Sequence, residues 1–118
     1  MMDLGDRIVR FAARCVKVCA VLPVKAVGSA SFADQLFRSS TGIAANYAEA
    51  CEAESAKDFV HKLKIAMKEL SETRTWLRLI VETGYVENAK LADLIGESRE
   101  LSRIFSASVT TTKKKIGA

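Results

Sequence analysis

The chain has 118 residues, a length that suits one domain around one core. Charged residues make up 27% and hydrophobic residues 49%, the balance of a soluble globular protein. The formal net charge of +4 permits a polyanionic partner without requiring one. Three cysteines, Cys15, Cys19 and Cys51, do not make a disulfide framework; with no signal peptide recognised, they read as reduced thiols of a cytoplasmic protein. The apolar run from Cys15 to Val24 is interrupted by Lys17 and is too short to cross a bilayer.

The first predicted helix runs from about Asp3 to Leu22. Leu4, Ile8, Phe11, Cys15, Val18 and Leu22 recur at steps of four and three, a seam facing a partner helix. Asp3 and Asp6 suit the positive end of the helix dipole, and Pro23 ends the helix. On the flank, Arg7, Arg10, Arg14 and Lys17 share one stripe with no acid after Asp6.

Ser29 or Ser31 can cap the second predicted helix, with Ser31, three residues before Asp34, the better candidate, and the helix runs to about Ala53. It is poor in large residues: Ser39, Ser40, Thr41, Gly42, Ala44, Ala45, Ala48 and Ala50 are all small, so a neighbouring helix can come close. Phe32, Leu36, Ile43 and Tyr47 form an apolar seam, and Gln35, Ser39, Gly42, Asn46 and Glu49 form a polar one. Glu49 lies near the end of the helix that disfavours acids, so it should have a cationic or hydrogen-bonding partner.

Ser55 followed by Asp58 marks the start of a third helix, expected from Ala56 to about Thr83 with Gly84 as its stop. Its seam is Phe59, Leu63, Ala66, Leu70, Thr73, Leu77 and Ile80; Lys57, His61, Lys64 and Lys68 form a second basic stripe. Asn88 is a candidate cap for a fourth helix from Ala89 to about Ser108, through Leu91, Leu94, Ile95, Ser98, Leu101, Ile104 and Phe105. Thr110 to Ala118, with Lys113, Lys114 and Lys115, reads as a frayed basic tail. Period-two alternation is nearly absent. The simplest fold is an all-α, up-down-up-down four-helix bundle.

Gln35, Leu36, Arg38, Ser39 and Ser40, then Ile43, Asn46, Tyr47, Ala48, Glu49 and Ala50, and then Phe59, Leu63, Ala66, Leu70 and Glu72, resemble the motifs of a known family. These are the bacterial four helix bundle proteins encoded by intervening sequences inside 23S ribosomal RNA genes. The chain departs from the pattern twice: Ala50 stands where glycine is usual, and Arg74 where an acid is common. The second departure implies a rewired polar contact. The resemblance implies a ring-shaped homopentamer and no enzymatic activity. A related group, the accessory proteins of diversity-generating retroelements, implies basic pentamers that bind nucleic acid and a reverse transcriptase.

The residues themselves leave alternatives open. Arg7, Arg10, Arg14 and Lys17, with Lys57, Lys64 and Lys68, read as phosphate contacts to RNA or DNA, or as a solvated face salt-bridged to acids on a neighbour. In a ring of five, copies at +4 each would carry a formal +20. Little aromatic interleaving accompanies the cations, so base stacking is not indicated. Gln35, Arg38, Asn46, Glu49 and Glu72 read as a buried polar network or a subunit interface, because no nucleophile, histidine or acid–base pair sits among them at catalytic spacing. An enzyme or small-ligand site on that seam is the weaker reading. Cys15, Cys19 and His61 lack zinc-site spacing, so no metal and no cofactor are expected, and Trp76, beside the Leu77 seam, reads as a packing or interface aromatic.

Overall fold

A computed structural model describes residues 2–117. Four helices follow in order: α1 (Leu4–Val21), α2 (Ser29–Cys51), α3 (Ala56–Glu82) and α4 (Asn88–Lys115). Each helix packs on its sequence neighbour, and α1 closes the square against α4 over a shorter contact. The cross-helix pairs set the directions. Cys19 meets Ala33 and Gly5 approaches Tyr47; Ser39 meets Thr73 and Asn46 meets Glu69; Arg74 meets Ser102; Arg7 meets Glu97 and Arg14 meets Asp93. Between α1 and α2, α2 and α3, and α1 and α4 one number rises as the other falls, so these neighbours are antiparallel, and α4, joined to α3 by a short turn, completes the expected up-down-up-down bundle. The molecule measures 51 × 24 × 22 Å.

The ends of the helices follow local chemistry. The Asp3 carboxylate accepts from the Asp6 amide at 2.8 Å and Ser55 Oγ accepts from the Asp58 amide at 3.0 Å, so both caps use a side-chain oxygen on an otherwise unsatisfied amide. Leu22, before Pro23, is extended at ψ 143, as proline demands of its predecessor. Gly84 stops α3 at φ 78, a conformation that side chains with a Cβ avoid.

Three boundaries differ from the sequence-based expectation. α2 begins at Ser29, two residues before the expected cap Ser31; Gly28, at φ 80, holds the N-cap position with no side-chain bond. Asn88 is the first residue of α4 rather than its cap, which is Glu87. The expected frayed tail is helical through Lys115: Val109 is buried at 7% exposure, and its packing outweighs the modest helix penalty of Thr110, Thr111 and Thr112. The three lysines then stand in the last turn, where the dipole favours cations. Ala118, the last residue of that tail, lies outside the described residues.

The predicted seams form the core. Ile8, Phe11, Cys15, Val18 and Leu22 of the first segment, Leu36 and Ile43 of α2, Leu63, Ala66, Leu70, Leu77 and Ile80 of α3, and Leu91, Leu94, Leu101 and Phe105 of α4 are all buried. Leu4, Phe32, Tyr47, Phe59 and Trp76 lie at its margin, half-buried. At one end, Phe32 packs against both Trp76 and Tyr85 with ring centroids 6.0 Å apart, and the Tyr85 hydroxyl donates to the Val27 carbonyl at 2.6 Å. Trp76 is thus a packing aromatic, as its spacing suggested.

The thiols differ sharply in environment. Cys15 is fully buried, and burial pushes its pKa up to about 12. The Cys19 thiol donates to the Ala33 carbonyl at 3.4 Å, and burial raises its pKa too. Cys51 is exposed. A disulfide-exchange reagent at neutral pH should therefore modify Cys51 well ahead of Cys19 and Cys15 in the folded chain. Cys15 should react only as the bundle opens; rapid titration of all three thiols would contradict this core.

Candidate nucleic-acid interface and the polar seam

The α1 stripe divides in two. Arg7 grips Glu97 of α4 with both Nε and an outer nitrogen, each bond 2.7 Å long, and that hydrogen bond raises the Arg7 pKa. Arg14 donates to Asp93 at 2.8 Å, but Asp93 is 86% exposed, so that pair is screened and weak. Arg10 and Lys17 are exposed and outside the ion pairs formed among the described residues. The stripe is thus partly the salt-bridged face that the residue pattern allowed. It overlooks a groove of about 580 Å³ between α1 and α4, floored by Phe11 and Gly96.

The α3 stripe is different. Lys57, His61, Lys64 and Lys68 are exposed. Because α4 stays helical to Lys115 and runs antiparallel to α3, it brings Lys113 beside Lys64. That approach, and the charge of Lys113, lower the Lys64 pKa; no carboxylate enters among its causes. Lys113 belongs to the candidate surface, and reading the segment as frayed hid that juxtaposition. Lys62, between the stripe residues, instead meets Glu49 at 3.0 Å, the cationic partner that Glu49 was expected to have.

The second set of predicted residues does not come together. Gln35 is exposed. Arg38 donates to Asp34 of its own helix at 3.0–3.1 Å on an exposed face. Glu72 is exposed beside Ser71, Thr75 and Trp76 and takes no part in a network with Asn46. Its place is taken by Glu69, one turn earlier. Asn46 Nδ2 donates to Glu69 Oε1 at 2.5 Å and to the Gly42 carbonyl at 3.0 Å. The Glu69 carboxylate lies so close over Gly42 that an added Cβ would be 1.8 Å from Oε2. One turn on, Thr73 donates to the Ser39 hydroxyl at 2.8 Å inside the core, sharing its proton with the Glu69 carbonyl. The polar seam of α2 is therefore a row of small groups on which α3 rests, filled by protein atoms. Among the described residues, no three His, Cys, Asp or Glu side chains gather around a point where a metal ion would sit.

Four antiparallel helices, sealed by small residues between α2 and α3 and carrying cations along two outer edges, define an all-α four-helix bundle, with no strand among the described residues. The chain belongs to the 23S rRNA-intervening sequence protein family, whose model matches residues 3–107. It is similar to the crystal structure of a protein of unknown function from the S23 ribosomal protein family of Bacteroides thetaiotaomicron VPI-5482. The two are 32% identical with a TM-score of 0.81, covering 91% of this chain and 98% of that one. No curated protein matches it. No helix among the described residues is long and apolar enough to cross a membrane.

Burial raises the Glu69 pKa, the Asn46 bond opposes the rise, and repulsion from Glu72 adds to it. A carboxyl whose folded pKa exceeds its unfolded value binds protons more tightly when folded. Its ionisation therefore costs stability above the folded pKa, and that cost disappears as pH falls through it. Glu69→Gln keeps an acceptor for Asn46 without the charge. Its melting temperature should match or exceed that of the parent by a few degrees at pH 7, and the difference should vanish near pH 4.

Two helical glycines give a second comparison. An alanine Cβ at Gly96 meets nothing within 4 Å, so Gly96→Ala should gain about 1 kcal/mol from helix propensity alone. Gly42→Ala must push the Glu69 carboxylate off Asn46 and should keep little of that gain. Equal stabilisation of the two variants in urea titrations would count against the Glu69 notch.

Proposed function

We propose that this chain is a non-catalytic accessory or adaptor bundle. It assembles with copies of itself into a ring of five and holds RNA or DNA through phosphate contacts, without reading bases. The observation that carries this reading is the Lys64–Lys113 pair. Two like charges held side by side on adjacent helices repel each other and are relieved by a polyanion. Lys57 and Lys68 extend the stripe, and Arg10 and Lys17 add cations on the α1 edge. Binding would proceed by release of counterions from the phosphates. Family membership supports the connection to an RNA gene, and it comes without a known activity. A reverse transcriptase as protein partner, and a cytoplasmic site of action, rest on the family resemblance and on the reduced thiols.

A second reading, a protein-interaction bundle without nucleic acid, draws on the apolar surface. Val9 is 60% and Phe37 49% exposed. A groove of about 330 Å³ on the α1–α2 face is lined by Val9, Ala44, Tyr47 and Ala48. In the first reading that face is where copies meet; in the second it is the whole of the function.

Binding to single-stranded DNA and RNA, followed by fluorescence anisotropy across a salt series, separates the two. Logarithmic affinity should fall linearly with logarithmic salt, by roughly 0.7 per phosphate engaged. The Lys64→Glu, Lys113→Glu variant should bind at least about tenfold more weakly at low salt, while Arg14→Gln, which alters an already paired cation, should change affinity less than about twofold. Absence of binding at low salt, or indifference to the lysine reversals, leaves the protein-interaction reading.

A further inference from the structure

Three arginines on the outer face of α3 and α4 take no part in the features above. Arg78 and Arg99 line opposite sides of a cleft of about 220 Å³, together with Val81, Ile95, Asn88 and Glu82. Arg74, one turn before Arg78, is half-buried next to them. One of its outer nitrogens donates to Ser102 Oγ at 3.1 Å and, more weakly, to Ser98 Oγ at 3.4 Å. The Ser98 hydroxyl itself donates to the Ile95 carbonyl at 2.6 Å, so it offers Arg74 a lone pair. Among the described residues none of the three arginines has a carboxylate within salt-bridge distance. The α4 acids that flank Arg99 in sequence are engaged elsewhere: Glu97 holds Arg7 and Glu100 holds Arg103. Glu82 borders the cleft without forming an ion pair with Arg78, leaving three cations against one carboxylate.

We propose that this α3–α4 cleft is a binding site for a phosphoryl group, with Arg78 and Arg99 as its direct ligands and Arg74 as the cation behind them. Guanidinium forks match phosphate oxygens in pairs, and two forks facing across a narrow cleft can grip one group from both sides. Arg74 cannot swing away, because its serine bonds fix it between the helices. Burial lowers its pKa, and repulsion from Arg99 and Arg78 adds to the effect, so the cluster is strained by its own charge until an anion enters. Asn88 at the cleft's end is the first residue of α4, a helix whose first-turn amides have no side-chain cap.

A free phosphate and a backbone phosphate present the same chemistry to these forks, so the site does not depend on the nucleic-acid reading. The test is a titration of the full chain, observed at the arginine Nε–H resonances. Inorganic phosphate should shift the Arg78 and Arg99 signals saturably, and chloride at equal ionic strength should not. Arg99→Ala should weaken phosphate binding about tenfold, the effect of losing one charge-assisted contact, while Arg103→Ala, on the paired arginine one turn away, should leave it unchanged. A short single-stranded oligonucleotide then identifies the source. If it shifts the same signals and is weakened by Arg99→Ala, the cleft holds a backbone phosphate; if it does not, the ligand is a free phosphorylated molecule. Lys64→Glu, Lys113→Glu should leave the inorganic phosphate titration intact, so failure of the nucleic-acid reading would be distinguishable. No saturable shift with phosphate, an equal shift with chloride, or an unaltered affinity in Arg99→Ala overturns the proposal.

Discussion

The close approach of α2 and α3 is the contact on which the bundle depends. Each of the two helices must bury an apolar seam, and α2 has few large side chains with which to do so. Instead it presents Ser39, Gly42 and Asn46 in a row, and α3 settles onto them with Thr73 and Glu69. A polar contact at that depth fixes register more sharply than an apolar one. A slip by one turn would part Asn46 from Glu69 and Ser39 from Thr73, leaving buried groups unpaired. The larger residues Ile43, Leu36, Leu70 and Leu77 then fill the space on the core side of that line. The cost is one half-buried carboxylate whose charge the fold does not welcome.

Charge on the outer faces is sorted by helix pair. Between α1 and α4, cations meet acids in antiparallel order, Arg7 with Glu97 and Arg14 with Asp93, which offsets part of the charge there and leaves Arg10 and Lys17 outside the pairs. Between α3 and α4 the sorting runs the other way: Lys64 faces Lys113, and Arg74 and Arg78 face Arg99. Lys64 and Arg74 lie ten residues apart on one helix, roughly 15 Å along its axis. A net charge of +4 therefore understates how uneven the surface is. Uneven distribution, more than total charge, determines where a polyanion rests.

Much of the fold was legible in the residues, for a physical reason. α1 and α3 bury single, uninterrupted seams at alternating steps of four and three, and only an amphipathic helix gives that pattern. The end of α4 was less legible, because three threonines and three lysines carry weak local preference; the burial of Val109 against the other helices decides the matter. Glu69 and Glu72 are three residues apart and flank the same seam, and which of them faces α2 depends on the side that α2 occupies. Spacing within one chain segment does not contain that information. The signal for Glu69 lay in α2: Gly42 and Asn46, one turn apart, form a notch with a donor and need an acceptor of matching length. Likewise Arg7 and Arg14 could be seen to share a stripe, but their acids lie some 80 to 90 residues further along the chain.

The square arrangement gives these surfaces a useful geometry. α1–α2 and α3–α4 are opposite sides of the bundle. The exposed apolar groove around Val9 and Ala48 belongs to the first, and the clustered cations Lys64, Lys113, Arg74, Arg78 and Arg99 to the second, while Arg10 and Lys17 stand on the α1 edge. An apolar contact excludes water and charge, whereas a phosphate contact on a polymer needs an accessible, solvated edge. Placed on one face, the two would compete, since burying lysines in a subunit contact would cost their hydration. Separated by the thickness of the core, they do not. On the proposed function, self-association through α1–α2 leaves the α3–α4 edge free for a polyanion, and a ring of such bundles would repeat that cationic edge at fixed spacing.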